Sequence, residues 1–312
     1  MTLLLNAPND PTGEFAAWIP VLDRLDPTRK VRLWPDTGPL DAIEYVLCWR
    51  PDPGDLQRYP NLKAIFNLGA GVDALLKDTT LPANVPLVRL VDEGLTLGMS
   101  EYVLMHVLRY HRRVPEFEES QRRSCWEPLL YPLARDRKVG ILGLGVLGGD
   151  AARKLVALGF DVAGWSRTPK SVPGVKSFHG AEGLNLFLNR SEILVCLLPL
   201  TKETTGIVNA KTLAQLPKGA AVINAGRGGH VVQDDLLAAL DSDHIAYATL
   251  DVFTPEPLPN EHPFWTHPRV TVTPHVASLT QPETAAPVVL DGIGRLERGE
   301  KPANLVDRRL GY

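Results

Sequence analysis

Val139-Gly140-Ile141-Leu142-Gly143-Leu144-Gly145-Val146-Leu147-Gly148 is the stretch that decides the fold of this chain. It opens as a short apolar run, passes into glycines spaced G-x-G-x-x-G, and continues with Ala151, Leu155 and Leu158 at helical spacing. Gly143 permits a tight turn, Gly145 lets a backbone approach a pyrophosphate, and Gly148 permits close helix–sheet packing. At Val146 and Leu147 the new helix presents unpaired N–H groups and its positive dipole end to phosphate. Glycines alone match many turns; a strand before and an amphipathic helix after make this a dinucleotide site.

The next strand selects the dinucleotide. An NAD site places Asp or Glu about 20 residues on, against the ribose 2′-hydroxyl. Here the chain reads Gly164-Trp165-Ser166-Arg167-Thr168-Pro169-Lys170, without a carboxylate. Ser166 does not repel a 2′-phosphate, Arg167 pairs with one in forked geometry, and Thr168 and Lys170 add a hydroxyl and a charge. NADPH is therefore expected as cofactor, with NADH weaker. An exposed basic turn without a ligand is the alternative reading of these residues.

Outward from this motif, short apolar runs alternate with helix and turn signals, as in α/β proteins with parallel sheets. Strands are expected at 139–142, 161–165, 193–198, 221–224, 246–250 and 270–273, with helices after Gly148 and at 234–240. An earlier series lies at 3–5, 31–34, 45–49, 64–68 and 87–90. A helix is expected from Met99 to Arg113, with Tyr102, Val103, Met105 and Leu108 on a broad apolar face. A polar stretch around Trp126 follows, and the last thirty or so residues read as one helix and a tail. The 312 residues exceed one ordinary core. The expected architecture is two Rossmann-like or flavodoxin-like domains with parallel sheets and an interdomain cleft. Residues 1–98 plus 284–312 form a substrate domain, and 99–283 the dinucleotide domain.

A net charge of −3 gives no drive toward nucleic acid or an anionic membrane. No apolar run spans a bilayer and no secretory signal is visible at the start, so a cytoplasmic protein is expected. Three cysteines, Cys48, Cys125 and Cys196, are far apart and odd in number, which suits a reducing compartment and no metal site.

Three polar residues stand just past the carboxyl ends of expected strands: Arg227, Glu256 and His275. In open parallel sheets that edge faces the ligand crevice. A guanidinium holds a carboxylate by two parallel hydrogen bonds, and an imidazolium donates a proton to a carbonyl as a hydride arrives. A neighbouring carboxylate stabilises and orients the charged ring. Taken singly, each has an ordinary reading as a loop arginine, a surface carboxylate or a turn histidine. The other seven histidines read as structural or exposed.

These residues together resemble the D-2-hydroxyacid dehydrogenase family over nearly the whole length. The resemblance rests on Asn67-Leu68-Gly69-Ala70-Gly71-Val72-Asp73, Gly143 to Gly148, Trp165-Ser166-Arg167-Thr168, Leu198-Pro199-Leu200-Thr201, Asn224 to Gly228, Asp251-Val252-Phe253 with Glu256-Pro257-Leu258-Pro259, and Thr273-Pro274-His275-Val276-Ala277. It implies Arg227 as substrate anchor, His275 as proton donor and Glu256 as its partner. It adds Leu198, Pro199, Asn224, Ala225, Asp251 and Ala277 to the cofactor contacts. Leu68, Gly69, Ala70 and Gly71 become a substrate loop offering N–H groups to a carboxylate, with Trp49 nearby. The implied reaction is NADPH-dependent reduction of glyoxylate or hydroxypyruvate by a homodimer. Reduction of another 2-oxo acid, and NAD(P)H sensing without catalysis, are the alternatives. Two departures stand out: Gly228-Gly229, expected to loosen the loop beside Arg227, and Ser278-Leu279 after the histidine.

Overall fold

The computed structural model describes residues 2–8 and 14–312. The chain forms two compact units, one of residues up to Leu95 with Leu279–Tyr312, the other of Thr96–Ser278. The crossing points fall before the expected 98 and 284. One reason is local: the helix expected from Met99 starts at Glu93, where the Asp92 carboxylate accepts from Gly94 N–H at 2.9 Å and supplies the N-cap.

In the first unit the strands are β1 (Thr2–Asn6), β2 (Lys30–Leu33), β3 (Ile43–Cys48), β4 (Ala64–Asn67) and β5 (Leu87–Arg89). They pair in the order β2-β1-β3-β4-β5, all parallel, which is the flavodoxin-like arrangement. Side chains alternate between two cores. Leu3, Leu5, Tyr45 and Leu47 meet Trp18, Leu22, Val289 and Ile293, while Leu4, Val46 and Ile65 meet Leu56, Leu75 and Val306. The helix Pro282–Glu297 thus returns the last part of the chain to this unit, as its apolar face Ala285, Ala286, Val289 and Ile293 requires.

In the second unit seven strands follow: β6 (Lys138–Leu142), β7 (Asp161–Ser166), β8 (Lys176–His179), β9 (Ile193–Cys196), β10 (Ala220–Asn224), β11 (Ile245–Leu250) and β12 (Val270–Val272). Their order is β12-β11-β10-β9-β6-β7-β8, again all parallel. Counted from β6 this is the doubly wound order 3-2-1-4-5-6 with a seventh strand beyond the sixth. Helix Glu93–His111 lays Tyr102, Val103, Val107 and Tyr110 on one face of the sheet beside Ala151 and Leu155 of helix Val146–Ala157.

Sequence and structure part in four places. The strand β8 has only Phe178 as an apolar residue and is largely exposed at the sheet edge, so no apolar run announces it. Within the expected polar stretch a helix runs over Val114–Arg122. Met105 and Leu108, expected on the apolar face, are exposed while Tyr102 and Val103 are buried. The Gly228-Gly229 turn is held rather than loose, for reasons given below. Among the described residues no helix is long and apolar enough to cross a membrane, and no cluster of His, Cys, Asp and Glu forms a metal site.

Candidate active site

Parallel order fixes where chemistry collects: β6 and β9 flank the point where strand order reverses, and ligands bind beyond the carboxyl ends there. Gly143 leaves β6 with φ of +104°, and a Cβ on it would sit 2.8 Å from the Leu197 carbonyl oxygen. Gly148 lies against the turn itself; its Cβ would meet the Gly143 carbonyl oxygen at 1.9 Å. By contrast a Cβ on Gly145 meets nothing within 4 Å. The turn is therefore packed from behind and open in front, the shape a pyrophosphate needs. Val146 is exposed, Leu147 half-buried, and Leu198, Pro199, Asn224 and Ala225 line the neighbouring strand ends as buried or half-buried residues.

At the end of β7 the Ser166 hydroxyl donates to the Thr168 carbonyl at 2.8 Å and shapes the turn. Ser166 is buried, while Arg167, Thr168 and Lys170 are exposed beyond it. Across from them the Glu203 carboxyl is held below its ordinary range, first by the Thr201 hydroxyl and also by Arg167 and Lys202. The residues present fit a 2′-phosphate better than a ribose diol, since an arginine and hydroxyls occupy the place of the usual carboxylate.

Arg227, Glu256 and His275 follow three adjacent strands, β10, β11 and β12. The His275 ring makes a 3.0 Å bond from Nδ1 to Glu256 Oε2, with the imidazole 30% and the carboxylate 17% exposed. A carboxylate only accepts, so in this bond Nδ1 carries a proton. The other oxygen, Glu256 Oε1, accepts from Phe253 N–H at 3.0 Å. The glutamate is thereby anchored to its own loop before it orients the ring.

His275 adopts a left-handed backbone, with φ of +58°, and the loop around it is tied to one buried carboxylate. Asp251 is 1% exposed. Its Oδ1 accepts from Val276 N–H at 2.8 Å and the Thr273 hydroxyl at 2.6 Å, and its Oδ2 from Ala277 N–H at 2.9 Å. Three donors compensate the burial of that charge. Because the Thr273 proton goes to Asp251, Tyr102 is the donor in its 2.8 Å bond to Thr273. Asp251 and Ala277, expected among the cofactor contacts, take part in the frame of the histidine loop.

Arg227 stands in an extended conformation inside a tightly held turn. The Asn224 side chain donates to the Arg227 carbonyl at 2.9 Å and accepts from Gly226 N–H at 3.2 Å. The Arg227 N–H donates to His230 Nδ1 at 3.0 Å, and His230 N–H returns to the Arg227 carbonyl at 3.1 Å. Beyond it, the Gly229 carbonyl accepts from Gly206 N–H at 2.8 Å. Gly228 touches the neighbouring loop so closely that a Cβ would lie 2.0 Å from the Phe253 carbonyl carbon and oxygen. The loop expected to be loose is held by bonds at Gly226, Arg227 and the carbonyls of Gly228 and Gly229, and the Arg227 turn rests on the residue that anchors Glu256. His230, among the histidines that read from sequence as structural or exposed, is placed by the fold on the Arg227 N–H; nothing local in Gly229-His230-Val231 shows whose N–H its ring will take.

In the first unit the Asn67 carboxamide donates to the carbonyls of Gly69 at 3.1 Å and Gly71 at 3.0 Å. The N–H groups of Gly69, Ala70 and Gly71 have no acceptor among the described residues. Leu68 is half-buried beside them. Trp49 packs on the same loop, with its ring 3.3 Å from where a Gly69 Cβ would be. The three cysteines are unpaired, Cys48 and Cys196 buried and Cys125 exposed.

A doubly wound sheet with a glycine turn at its switch point and a carboxylate-backed histidine on the same edge defines a dinucleotide-dependent oxidoreductase. Residues 104–277 match the family model described as D-isomer specific 2-hydroxyacid dehydrogenase, NAD binding domain. The chain belongs to that family. It is 48% identical over 300 residues to a glyoxylate/hydroxypyruvate reductase A of Serratia proteamaculans, covering 95% of this chain and 96% of the other. A protein of the same name from Yersinia enterocolitica is 47% identical, over 97% and 98% of the two chains. Among solved structures, a D-isomer specific 2-hydroxyacid dehydrogenase from Xanthobacter autotrophicus in complex with NADPH is similar at a TM-score of 0.95 and 46% identity, with 100% of this chain and 99% of that one covered. An NADPH-dependent glyoxylate/hydroxypyruvate reductase from Sinorhizobium meliloti with NADP gives 0.92 and 41%, with the same coverage.

Proposed function

We propose that this chain reduces glyoxylate and hydroxypyruvate to the corresponding 2-hydroxy acids with NADPH, and that His275 is the proton donor. The observation that carries the reading is the 3.0 Å bond between His275 Nδ1 and Glu256 at the edge of a dinucleotide sheet. NADPH, when bound, supplies the hydride to the carbonyl carbon. Gly143 to Gly148 would hold its pyrophosphate, and Ser166, Arg167, Thr168 and Lys170 its 2′-phosphate. The Arg227 guanidinium grips the substrate carboxylate with two parallel N–H groups and fixes the carbonyl for attack. His275 gives the proton on Nε2 to the carbonyl oxygen, and Glu256 holds the ring by Nδ1 while its charge changes. In the first unit the N–H groups of Gly69, Ala70 and Gly71, with Trp49 against them, suit a carboxylate as well. The relatives named for glyoxylate and hydroxypyruvate support the substrate assignment.

Steady-state rates with glyoxylate, hydroxypyruvate and pyruvate, each with NADPH and NADH, test this. The highest kcat/KM belongs to one of the first two with NADPH. A preference for pyruvate, for a bulkier 2-oxo acid or for NADH contradicts it; tight NADPH binding with background turnover points to sensing instead. We further propose a homodimer formed through the second unit. Met105, Leu108, Phe117, Trp126 and Leu130 are all exposed there, Trp126 to 98% and Leu130 to 94%, an apolar surface that suits a second copy. A monomer in light scattering contradicts that assembly. We also propose a cytoplasmic location.

A further inference from the structure

We propose that His230 is the positioning residue for Arg227, holding the turn from which the guanidinium reaches the substrate carboxylate. The proposal rests on the reading of Arg227 as that anchor.

Residue 230 is fully buried in a turn bounded by apolar neighbours Val208 and Val231. A leucine or valine would fill such a place without the cost of burying a polar ring. What the imidazole adds is a bond to the main chain: Nδ1 accepts from Arg227 N–H at 3.0 Å. This bond requires a lone pair on Nδ1, so the ring is held with its proton elsewhere. The backbone of residue 230 is held from outside the turn through its carbonyl, which takes Val208 N–H at 2.9 Å, while its N–H bonds the Arg227 carbonyl at 3.1 Å. From that fixed base the side chain reaches back three residues. Gly226 makes room for it, since a Cβ there would lie 3.0 Å from the ring.

Arg227 consequently has both main-chain polar groups engaged, the N–H by His230 and the carbonyl by His230 and Asn224. An extended residue between two glycines has few intrinsic restraints on its direction. Here the reciprocal 227–230 pair and the Gly228 contact with Phe253 supply them. Removing the Nδ1 acceptor orphans the Arg227 N–H and lets the peptide between Gly226 and Arg227 rotate. The reacting geometry tolerates little of that, because the guanidinium must meet both carboxylate oxygens at once.

Four variants separate positioning from mere packing, each measured for KM and kcat with glyoxylate, for NADPH Kd by fluorescence, and for fold by circular dichroism. His230→Asn places an acceptor near the Nδ1 position; His230→Gln places it one bond too far; His230→Leu has none. Arg227→Lys runs in parallel. The expected result is a KM for glyoxylate raised roughly tenfold or more in Leu and Gln, near wild type in Asn, with NADPH Kd unchanged. Equal impairment of Asn and Gln, a Leu variant with wild-type KM, or a parallel loss of NADPH affinity overturns the proposal. Should the Leu variant not fold, the Asn and Gln pair decides by the same criterion. A raised KM in Arg227→Lys with normal His230 variants removes only His230. A normal KM in Arg227→Lys removes the carboxylate anchor itself, and the His230 proposal with it.

Discussion

Gly228→Ala is the substitution for which the structure fixes the consequence most closely. The added methyl would lie 2.0 Å from both the carbonyl carbon and the oxygen of Phe253, more than an ångström short of the 3.4 Å at which contact becomes ordinary. Both sides of the clash are main chain, so no side chain can swing away. Moving the Arg227 turn strains its bonds to Asn224 and His230; moving Phe253 strains the 3.0 Å bond that anchors Glu256. Overpacking of this kind costs on the order of 3 kcal/mol, which in a unit of this size lowers Tm by about 6–12 °C. Displacing a substrate clamp by an ångström lowers kcat/KM by ~10²-fold. Thermal unfolding and steady-state rates with glyoxylate and NADPH measure both effects. Gly145→Ala is the control: its methyl meets nothing within 4 Å, so Tm is unchanged while NADPH binding weakens. A Gly228→Ala enzyme with wild-type Tm and kcat/KM refutes the claim that these two loops are joined at this contact.

Two further outcomes are expected. Arg167→Asp places a carboxylate where a 2′-phosphate would lie and shifts the ratio of kcat/KM values from NADPH toward NADH; unaltered selectivity removes Arg167 from that site. Burial, with a smaller effect of Arg109, lowers His106 from 6.5 to about 4, so the unfolded chain binds this proton first. Its contribution to stability is complete above pH ~6.5 and is lost as pH falls toward ~4. Denaturant titrations across that range show a shallower decline in His106→Asn; identical slopes contradict the assignment.

Much of this molecule is legible in its sequence, for physical reasons. Strands buried on both faces read as continuous apolar runs, and eleven of the expected runs coincide with strands β1–β7 and β9–β12. The glycine turn is legible because its spacing answers a local demand. The three catalytic candidates were located because parallel topology sends every strand end to one edge. What escaped depends on tertiary partners. The edge strand β8 buries too little to need an apolar pattern. Helix Glu93–His111 exposes Met105 and Leu108, which periodicity cannot distinguish from core positions. Asp251 and His230 do their work through bonds to backbone N–H groups brought near only by the fold. The charge and hydrogen-bonding type of a residue are written in the chain; its partner is not.

The central proposal is that the imidazole of His275 is the acid of the reaction, and replacing it with asparagine tests this most directly. Asparagine tolerates the left-handed backbone at position 275 but has no proton to give at catalytic pH. Single-turnover reduction of glyoxylate by the NADPH-loaded His275→Asn variant is expected to slow by ~10²-fold or more with NADPH affinity retained. A rate close to wild type, in a variant that still binds NADPH, would contradict the account.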